Sequence, residues 1–210
     1  MTTATRIGRR ERSAQIRSGL LAAAERMLAS KGFERTTIHD ITSEADLGFG
    51  TFYRYFPSKD ELYRELAVEG LSVLTEAIDE RCGRAESPRD RLRAIVHEVV
   101  AFASERSDLF LLISASDAGV RQAVRRGVKD LVRCLRGSLE PGFVDGSYRA
   151  IDPSLAVHAL LGMHTFVLRP WLYDRTMDER HLEEELVRLA EGALLKASER
   201  PENGEEERGD

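Results

Sequence analysis

The sequence is poor in proline and cysteine and has no long uninterrupted apolar run. Only 6 of 210 residues are proline, and segments in which β-branched and polar residues alternate are scarce, so a β-sheet is not favoured. Cys82 and Cys134 form neither a disulfide framework nor a Cys-x-x-Cys motif, as expected in a reducing compartment. The most apolar stretch, residues 155–168, is shorter than the roughly 20 residues that span a membrane.

Signals for export and for catalysis are also missing. The N-terminus is rich in arginine and lacks the apolar segment of a signal peptide. No Gly-x-Ser-x-Gly elbow, phosphate-binding glycine loop or His-Glu-x-x-His motif is present. His181 and Glu184 share a helix face, but two ligands do not make a metal site. We therefore expect a soluble, cytoplasmic protein that is not an enzyme and has no metal, cofactor or membrane partner.

Apolar residues instead recur at helical spacing almost everywhere, and helix signals separate the segments. Gly32 is placed to end the first helix in a left-handed conformation, and Thr37 is an N-cap candidate for the next. Ser58 with Glu61, and Thr176 with Glu179, are capping boxes. Asp152-Pro153 starts another helix, and residues 140–151 are the one long irregular stretch. We predict an all-α fold of about nine helices.

Three short helices expected between Ser13 and Phe56 have the proportions of a helix-turn-helix. Its second element is predicted at residues 37–45 and its recognition helix at residues 49–56. Phe52 and Phe56 lie four residues apart and are expected to anchor the recognition helix to the core. The residues left to face phosphates and base edges are Thr51, Tyr53, Arg54 and Tyr55. Gly48 and Gly50 leave the backbone N–H groups of this helix open to a phosphate, and Lys59 adds a positive charge.

The local charge agrees with nucleic-acid binding although the whole chain carries a net charge of −5. Residues 1–64 contain eleven Lys and Arg against eight Asp and Glu, which is a net +3. Five of these basic residues, among them Arg9 and Arg10, fall within the first 20 residues. A basic arm before a helix-turn-helix can lie along a groove or along the phosphate backbone.

A longer pattern resembles the signature of the TetR-family repressors. It comprises residues 36–41, Ala45, residues 50–56 and residues 58–62, all in register. The resemblance implies a dimeric, ligand-responsive transcription factor in which Thr37, Thr51, Tyr53, Tyr55 and Lys59 contact DNA, mainly its phosphates, and Arg54 helps to read the sequence. The chain departs from the family at Asp46-Leu47-Gly48, where small residues are usual, and at Phe49, where a polar residue is common. We still include Gly48 and Phe49 in the expected DNA-contact set.

The helix expected at residues 152–172 is apolar on nearly every face. Such a helix must be buried all round, which suggests that one face packs on its own domain and another face packs on a partner subunit. The amphipathic helix at residues 176–198 would complete a two-fold, four-helix interface, and such a dimer would face a palindromic operator. The predicted interface residues are Leu160, Gly162, Met163, Val167, Leu182, Leu186, Leu189 and Ala193. The alternative is a central helix in a monomeric bundle.

An effector pocket is harder to predict. The candidate lining residues, each of which is also compatible with ordinary core, are Phe102, Phe110, Leu111, Val124, Val128, Phe143, Met163, His164, Phe166 and Trp171. The basic stripe of Arg121, Arg125, Lys129 and Arg133 is compatible with an anionic effector such as an acyl thioester, with a second DNA contact, or with a solvated face.

The four expected segments are a flexible basic arm (residues 1–12), a helix-turn-helix domain (13–58), a helical effector-binding and dimerisation domain (59–198) and a disordered acidic tail (199–210). The hypothesis is a homodimeric, sequence-specific DNA-binding repressor that a small, largely apolar effector releases from its operator. The alternatives are a constitutive DNA-binding dimer and an all-α enzyme without a recognisable motif.

Overall fold

The computed structural model describes residues 8–114 and 118–196, including every side chain in these ranges except those of residues 9 and 118–123. This part of the chain contains nine α-helices, as predicted. They are α1 (Arg9–Arg35), α2 (Ile38–Glu44), α3 (Phe49–Phe52), α4 (Lys59–Gly83), α5 (Pro88–Glu105), α6 (Ser107–Ser114), α7 (Ala118–Val144), α8 (Pro153–Asp174) and α9 (Glu179–Leu194). None of these helices is long and apolar enough to cross a membrane.

The chain divides into two compact units. Unit 1 comprises the described residues of Met1–Ser72 and Arg106–Val128, and unit 2 those of Val73–Glu105 and Lys129–Asp210. In unit 1, α1 packs against α2 and α6, and α2 packs against α3. In unit 2, α5 packs against α8 and α9. The boundaries predicted for the functional domains remain predictions, as do the arm at residues 1–7 and the tail at 199–210, which lie outside the described residues.

Several helix starts have the side-chain caps that the sequence predicts. The Thr37 hydroxyl accepts a hydrogen bond of 3.1 Å from the Asp40 backbone N–H, and the Asp40 carboxylate accepts one from the Thr37 N–H. Ser58 Oγ accepts from the Glu61 N–H at 3.1 Å, and Asp152 accepts from the Leu155 N–H at 2.9 Å. Each cap satisfies a donor that the first turn of a helix leaves unpaired.

Helix α1 starts earlier than predicted. It begins at Arg9, where the Glu11 carboxylate accepts a hydrogen bond of 2.8 Å from the Gly8 N–H. Residues 9–12, which the sequence analysis places in the basic arm, are therefore helical. At the other end of α1, Gly32 has a φ of 74° and breaks the regular helix, as predicted. A side chain would be strained at this φ.

The recognition helix is shorter than predicted. Helix α3 ends at Phe52 instead of extending to residue 56. The Arg54 N–H bonds to Thr51 O at 3.2 Å and the Tyr55 N–H to Phe52 O at 2.9 Å, which are the i to i+3 bonds of a tightened last turn. Pro57 follows directly, and the residue before a proline avoids the α-helical region.

Two boundaries in unit 2 also differ from the prediction. Helix α7 continues through Pro141 to Val144, five residues into the stretch expected to be irregular. Tyr148 supports this end, because its buried ring packs on Phe143 and its hydroxyl donates to Pro88 O at 2.7 Å. Helix α9 is capped by Asp178, which accepts from the His181 N–H at 3.0 Å, and not by Thr176.

The close packing of Tyr148 on the α7 backbone gives a first prediction. A Cβ atom at Gly142 would overlap the Tyr148 ring, and the ring cannot move freely because its hydroxyl is bonded to Pro88 O. Gly142→Ala should therefore lower the free energy of unfolding by about 1–3 kcal/mol in urea denaturation. Gly137→Ala is the matched control. It lies on the same helix, nothing lies within 4 Å of its Cβ, and higher helix propensity should stabilise it slightly. Equal effects of the two substitutions would contradict the packing described.

Candidate nucleic-acid interface

The turn between α2 and α3 is held by backbone geometry at Asp46. This residue has a φ of 52°, which asparagine and aspartate tolerate better than most side chains. The Asp46 N–H bonds to Ser43 O at 3.2 Å and the Leu47 N–H to Thr42 O at 2.8 Å. These are the two hydrogen bonds of a Schellman motif, in which glycine is the usual left-handed residue. The aspartate at this position therefore preserves the helix-turn-helix geometry.

Buried aromatic rings fix α3 to the core of unit 1. Phe52 and Phe56 are both buried, as predicted, and their ring centroids lie 5.9 Å apart. Tyr53 packs edge-to-face on Phe52 with centroids 5.5 Å apart. Because Phe52 is anchored inside, the opposite side of α3 faces solvent.

The exposed side of α3, together with the tight turn at residues 53–56, carries most of the predicted DNA-contact residues. Phe49, Tyr53 and Arg54 are exposed, and Thr51 and Tyr55 are half-buried. Glycine leaves the start of this segment uncrowded, because nothing lies within 4 Å of a Cβ built at Gly50 and only Thr51 Oγ1 lies near one built at Gly48. The segment thus presents aromatic, hydroxyl and guanidinium groups side by side, the types that contact phosphates and base edges.

Two residues expected at the DNA have other partners in the free protein. The Lys59 ammonium donates to Phe33 O at 2.8 Å and to Thr36 O at 3.0 Å, and it lies 4.4 Å from the centroid of the Phe33 ring. The Thr37 hydroxyl donates to the Asp40 carboxylate at 2.8 Å. Lys59 therefore ties the start of α4 to the end of α1, and Thr37 caps α2. The sequence indicated the cap of α2 but not the contacts of Lys59.

An ion pair holds α1 and α2 together beside these residues. Lys31 Nζ lies 2.6 Å from the Asp40 carboxylate. The hydrogen bond from Lys31, followed by those from the Thr37 N–H and hydroxyl, keeps the pKa of Asp40 well below its usual range. Asp40 therefore stays ionised as an acceptor at any physiological pH.

The predicted arm contacts are only partly described. Arg10 is exposed on the first turn of α1. The side chain of Arg9 lies outside the described residues, and so does that of Arg121 in the basic stripe. Of the other stripe residues, Arg125 and Lys129 are exposed and Arg133 pairs with Asp130 at 2.7 Å. Such pairing at the surface is typical of a solvated face.

The predicted effector residues are distributed over both units. Phe110, Leu111, Val124 and Val128 belong to unit 1, and the other six belong to unit 2. Phe166 is 83% exposed on the surface of α8, away from the core of unit 2, and its role in a pocket remains a prediction. Trp171 is buried, but its Nε1–H donates to Met177 O at 2.7 Å and supports the turn after α8. Phe143 packs on Tyr148.

His164 is the most unusual of these residues. It is buried, and its Nδ1 lies 2.7 Å from Leu160 O, so that Nδ1 must carry the proton. Its Nε2 is buried and has no hydrogen-bond partner among the described residues. Burial lowers the pKa of His164 to about 4, so the ring is neutral at pH 7 and Nε2 is a free acceptor. A buried polar atom without a partner is costly and calls for an explanation.

Three surface clefts in unit 2 contain none of the ten predicted lining residues. These clefts of about 320, 410 and 430 Å³ are lined largely by charged and polar side chains. His97 belongs to the first of them, where its Nδ1 lies 2.9 Å from Glu183 Oε1. Within the described ranges, no three His, Cys, Asp or Glu side chains are grouped so that they could hold a metal ion.

Helix α8 has two apolar faces, and they differ from the assignment made from the sequence. Leu160 on α8, and Leu182 and Leu186 on α9, are buried inside unit 2 and are therefore not available to a partner. The exposed face of α8 is instead an apolar stripe of Leu155, Ala159, Phe166, Pro170 and Tyr173, with the half-buried Gly162 on the same side. Leu189 and Ala193 of α9 are also exposed, as an interface requires, and Met163 and Val167 are half-buried. Helical spacing could have identified this stripe, since its members recur every three or four residues.

Family models match both parts of the chain. Residues 20–66 match the model described as bacterial regulatory proteins, tetR family. Residues 85–192 match the model described as tetracyclin repressor-like, C-terminal domain. Together these matches contain the helix-turn-helix and most of unit 2.

Known proteins of similar length share this arrangement. The transcriptional regulator HbdR of Aromatoleum sp. (strain CIB) is 25% identical over 184 residues, covering 85% of this chain and 80% of HbdR. The solved structure of FadR from Bacillus halodurans superposes with a TM-score of 0.75 at 19% identity, covering 83% of this chain and 93% of FadR. The structure of FadR from Bacillus subtilis, solved in complex with stearoyl-CoA, superposes with a TM-score of 0.74 at 20% identity. The match covers 82% of this chain and 96% of that FadR. At these identities the structures show the fold.

The position of Lys59 predicts a structural effect of its removal. Lys59→Met deletes two charge-assisted hydrogen bonds to backbone carbonyls and should lower the free energy of unfolding by about 2 kcal/mol. Urea denaturation of the full chain without DNA measures this loss. Lys129→Met is the control, since Lys129 is an exposed lysine on α7. If Lys59→Met were as stable as the control, the bonds from Lys59 to Phe33 O and Thr36 O would not stabilise the folded protein in solution.

Proposed function

Because the chain belongs to the TetR family of transcriptional regulators, we propose that it is a homodimeric repressor that binds a palindromic operator and is released by a small, largely apolar effector. The segment formed by α3 and the tight turn after it carries this proposal: Tyr53 and Arg54, directly after the helix, face solvent beside the buried Phe52. A short helix held rigidly from behind, with such groups in front, is suited to the major groove. The DNA contacts assigned to Thr51, Tyr53, Arg54 and Tyr55 are part of the proposal.

The exposed apolar stripe of α8 supports a homodimer. Leu155, Phe166 and Tyr173 are 63%, 83% and 70% exposed, and they lie on one side of the helix. A contiguous apolar surface of this kind usually marks an interaction site. A second copy of the chain would bury the stripe by a two-fold contact in which α8 and α9 of each subunit meet. Two recognition helices would then lie one DNA turn apart.

The dimer proposal is tested by placing a charge on the stripe. Phe166→Asp should convert the dimer to a monomer, because burying an unpaired carboxylate at a two-fold axis is costly, and it should weaken operator binding strongly. Sedimentation equilibrium measures the mass, and fluorescence anisotropy measures binding. Arg180→Asp on the exposed side of α9 is the control and should remain dimeric. A wild-type protein that sediments as a monomer at micromolar concentration would contradict the proposal.

Two observations support an effector with a long apolar part and a polar group. FadR from Bacillus subtilis, which shares this fold, was solved with stearoyl-CoA. In this chain the buried Nε2 of His164 is an acceptor without a described partner, and an amide N–H or hydroxyl in the coenzyme A part of an acyl-CoA is a suitable donor. Release of DNA requires only that the effector prefer one arrangement of the dimer, with a coupling free energy of typically 1–3 kcal/mol.

Stearoyl-CoA is therefore the first effector to test. We expect it to release labelled operator DNA in an anisotropy titration, whereas free coenzyme A should not, because the apolar chain supplies most of the binding free energy. His164→Leu should weaken this response, and His158→Leu, an exposed histidine on the same helix, should not. If acyl-CoA of every chain length left the complex intact, the constitutive DNA-binding dimer would be the better account.

A further inference from the structure

We propose that Phe49 recognises the 5-methyl group of a thymine in the major groove of the operator. The inference rests on the proposed function, and it names the base feature that this part of α3 reads. The argument uses the exposure of the Phe49 ring, the support behind it, the space around it and the chemistry of base edges.

Phe49 is the first residue of α3, and 52% of it is exposed. Its ring packs edge-to-face against Tyr53, four residues later, with centroids 5.6 Å apart and planes at 70°. Tyr53 is equally exposed, at 52%. The two rings therefore form an aromatic pair on the outer side of the helix-turn-helix, next to the exposed Arg54.

This pair is supported by the core. Tyr53 packs on Phe52, and Phe52 packs on Phe56, so that a continuous series of ring contacts runs from the surface into unit 1. The Phe49 ring is thus held by its neighbours before any ligand arrives. A pre-positioned side chain loses little conformational entropy on binding, which favours specific contact.

The residues beside Phe49 leave room for a large partner. A Cβ atom built at Gly50 meets no heavy atom within 4 Å, and the nearest to one built at Gly48 is Thr51 Oγ1 at 3.9 Å. Glycine at positions 48 and 50 therefore places no side chain beside the Phe49 ring, which is 52% exposed. This space distinguishes Phe49 from an aromatic side chain that merely completes the core.

Base chemistry then limits what the ring can read. The major-groove edges of the bases present hydrogen-bond donors and acceptors, and the one apolar group among them is the thymine 5-methyl. Phenylalanine has no donor or acceptor, so against any other edge it would desolvate polar atoms without replacing their hydrogen bonds. Contact with the methyl group gains apolar burial instead, about 0.8 kcal/mol for one group, or roughly fourfold in affinity.

The test removes one methyl group at a time. The full-length wild-type protein first selects binding sequences from a randomised duplex library. Each thymine of the selected half-site is then replaced by deoxyuridine, which pairs identically and lacks only the 5-methyl group. By fluorescence anisotropy at fixed salt, one replacement should weaken wild-type binding roughly fourfold. Phe49→Ala should bind the thymine and deoxyuridine duplexes equally, and Phe49→Leu should keep part of the preference.

Two controls separate a base contact from a general loss of binding. Val73→Ala removes an exposed apolar side chain from α4 and should leave the thymine preference unchanged. The salt dependence of Phe49→Ala should match that of wild type, because phosphate contacts set this slope. Both variants should unfold thermally at the wild-type temperature within a few degrees.

Each result decides the inference. A wild-type preference for thymine that Phe49→Ala abolishes supports it. The inference is overturned if no replacement of thymine by deoxyuridine weakens wild-type binding. It is also overturned if Phe49→Ala retains the preference for thymine. Both results leave the proposed function intact. Unaltered DNA affinity of Phe49→Ala would also overturn the inference. A wild-type protein that enriches no sequence overturns both this inference and the proposed function.

Discussion

The corner between α1 and α2 is the constraint on which the rest of unit 1 depends. Gly32 has a positive φ, which interrupts the regular helix near the end of α1, and the buried Thr36 hydroxyl donates back to Gly32 O at 2.8 Å. The Lys59 ammonium then bonds the carbonyls of Phe33 and Thr36. These contacts place the start of α2 and the start of α4 against the same turn. Because α3 lies between α2 and α4 in the chain, its position follows from this corner.

The corner also affects which side chains are available to DNA. Lys59 and Thr37 already donate hydrogen bonds to other groups of the protein. The surface left for DNA in the free protein is therefore chiefly that of α3 and the turn after it. The exposed residues are Phe49 on α3, and Tyr53 and Arg54 directly after it. A surface that is fixed before binding favours shape and base contacts over adjustable charge contacts. The sequence of this short helix therefore matters more to the proposed recognition than the basic residues around it.

Local signals in the sequence were sufficient for much of the fold. Thr37, Ser58 and Asp152 cap the helices that they were expected to cap, because capping depends on residues within three positions. Gly32 and the buried Phe52 and Phe56 were likewise predictable from position and spacing. The sequence pattern extends α3 too far, to residue 56. The four-residue spacing of Phe52 and Phe56 does not distinguish an α-helical turn from the tighter turn that precedes Pro57.

What depends on distant contacts was not predictable. The carbonyl of Phe33 lies 26 residues before Lys59, so no local pattern indicates that bond. Helix α8 is apolar on two sides, and only packing against α5 and α9 shows that Leu160 faces inward and Phe166 outward. The same holds for His164, whose helical position gives no sign that Nε2 is left without a described partner.

The central claim is that the α3 segments of two subunits bind the major groove and contact the DNA backbone. The most direct measurement is a salt series of anisotropy titrations with duplex DNA from the region upstream of the gene. The account predicts saturation at two subunits per site. The logarithm of the binding constant should fall linearly with the logarithm of salt, by about 0.9 per phosphate contact. Binding that did not depend on salt concentration and showed no preference for the upstream duplex over random duplex would contradict it.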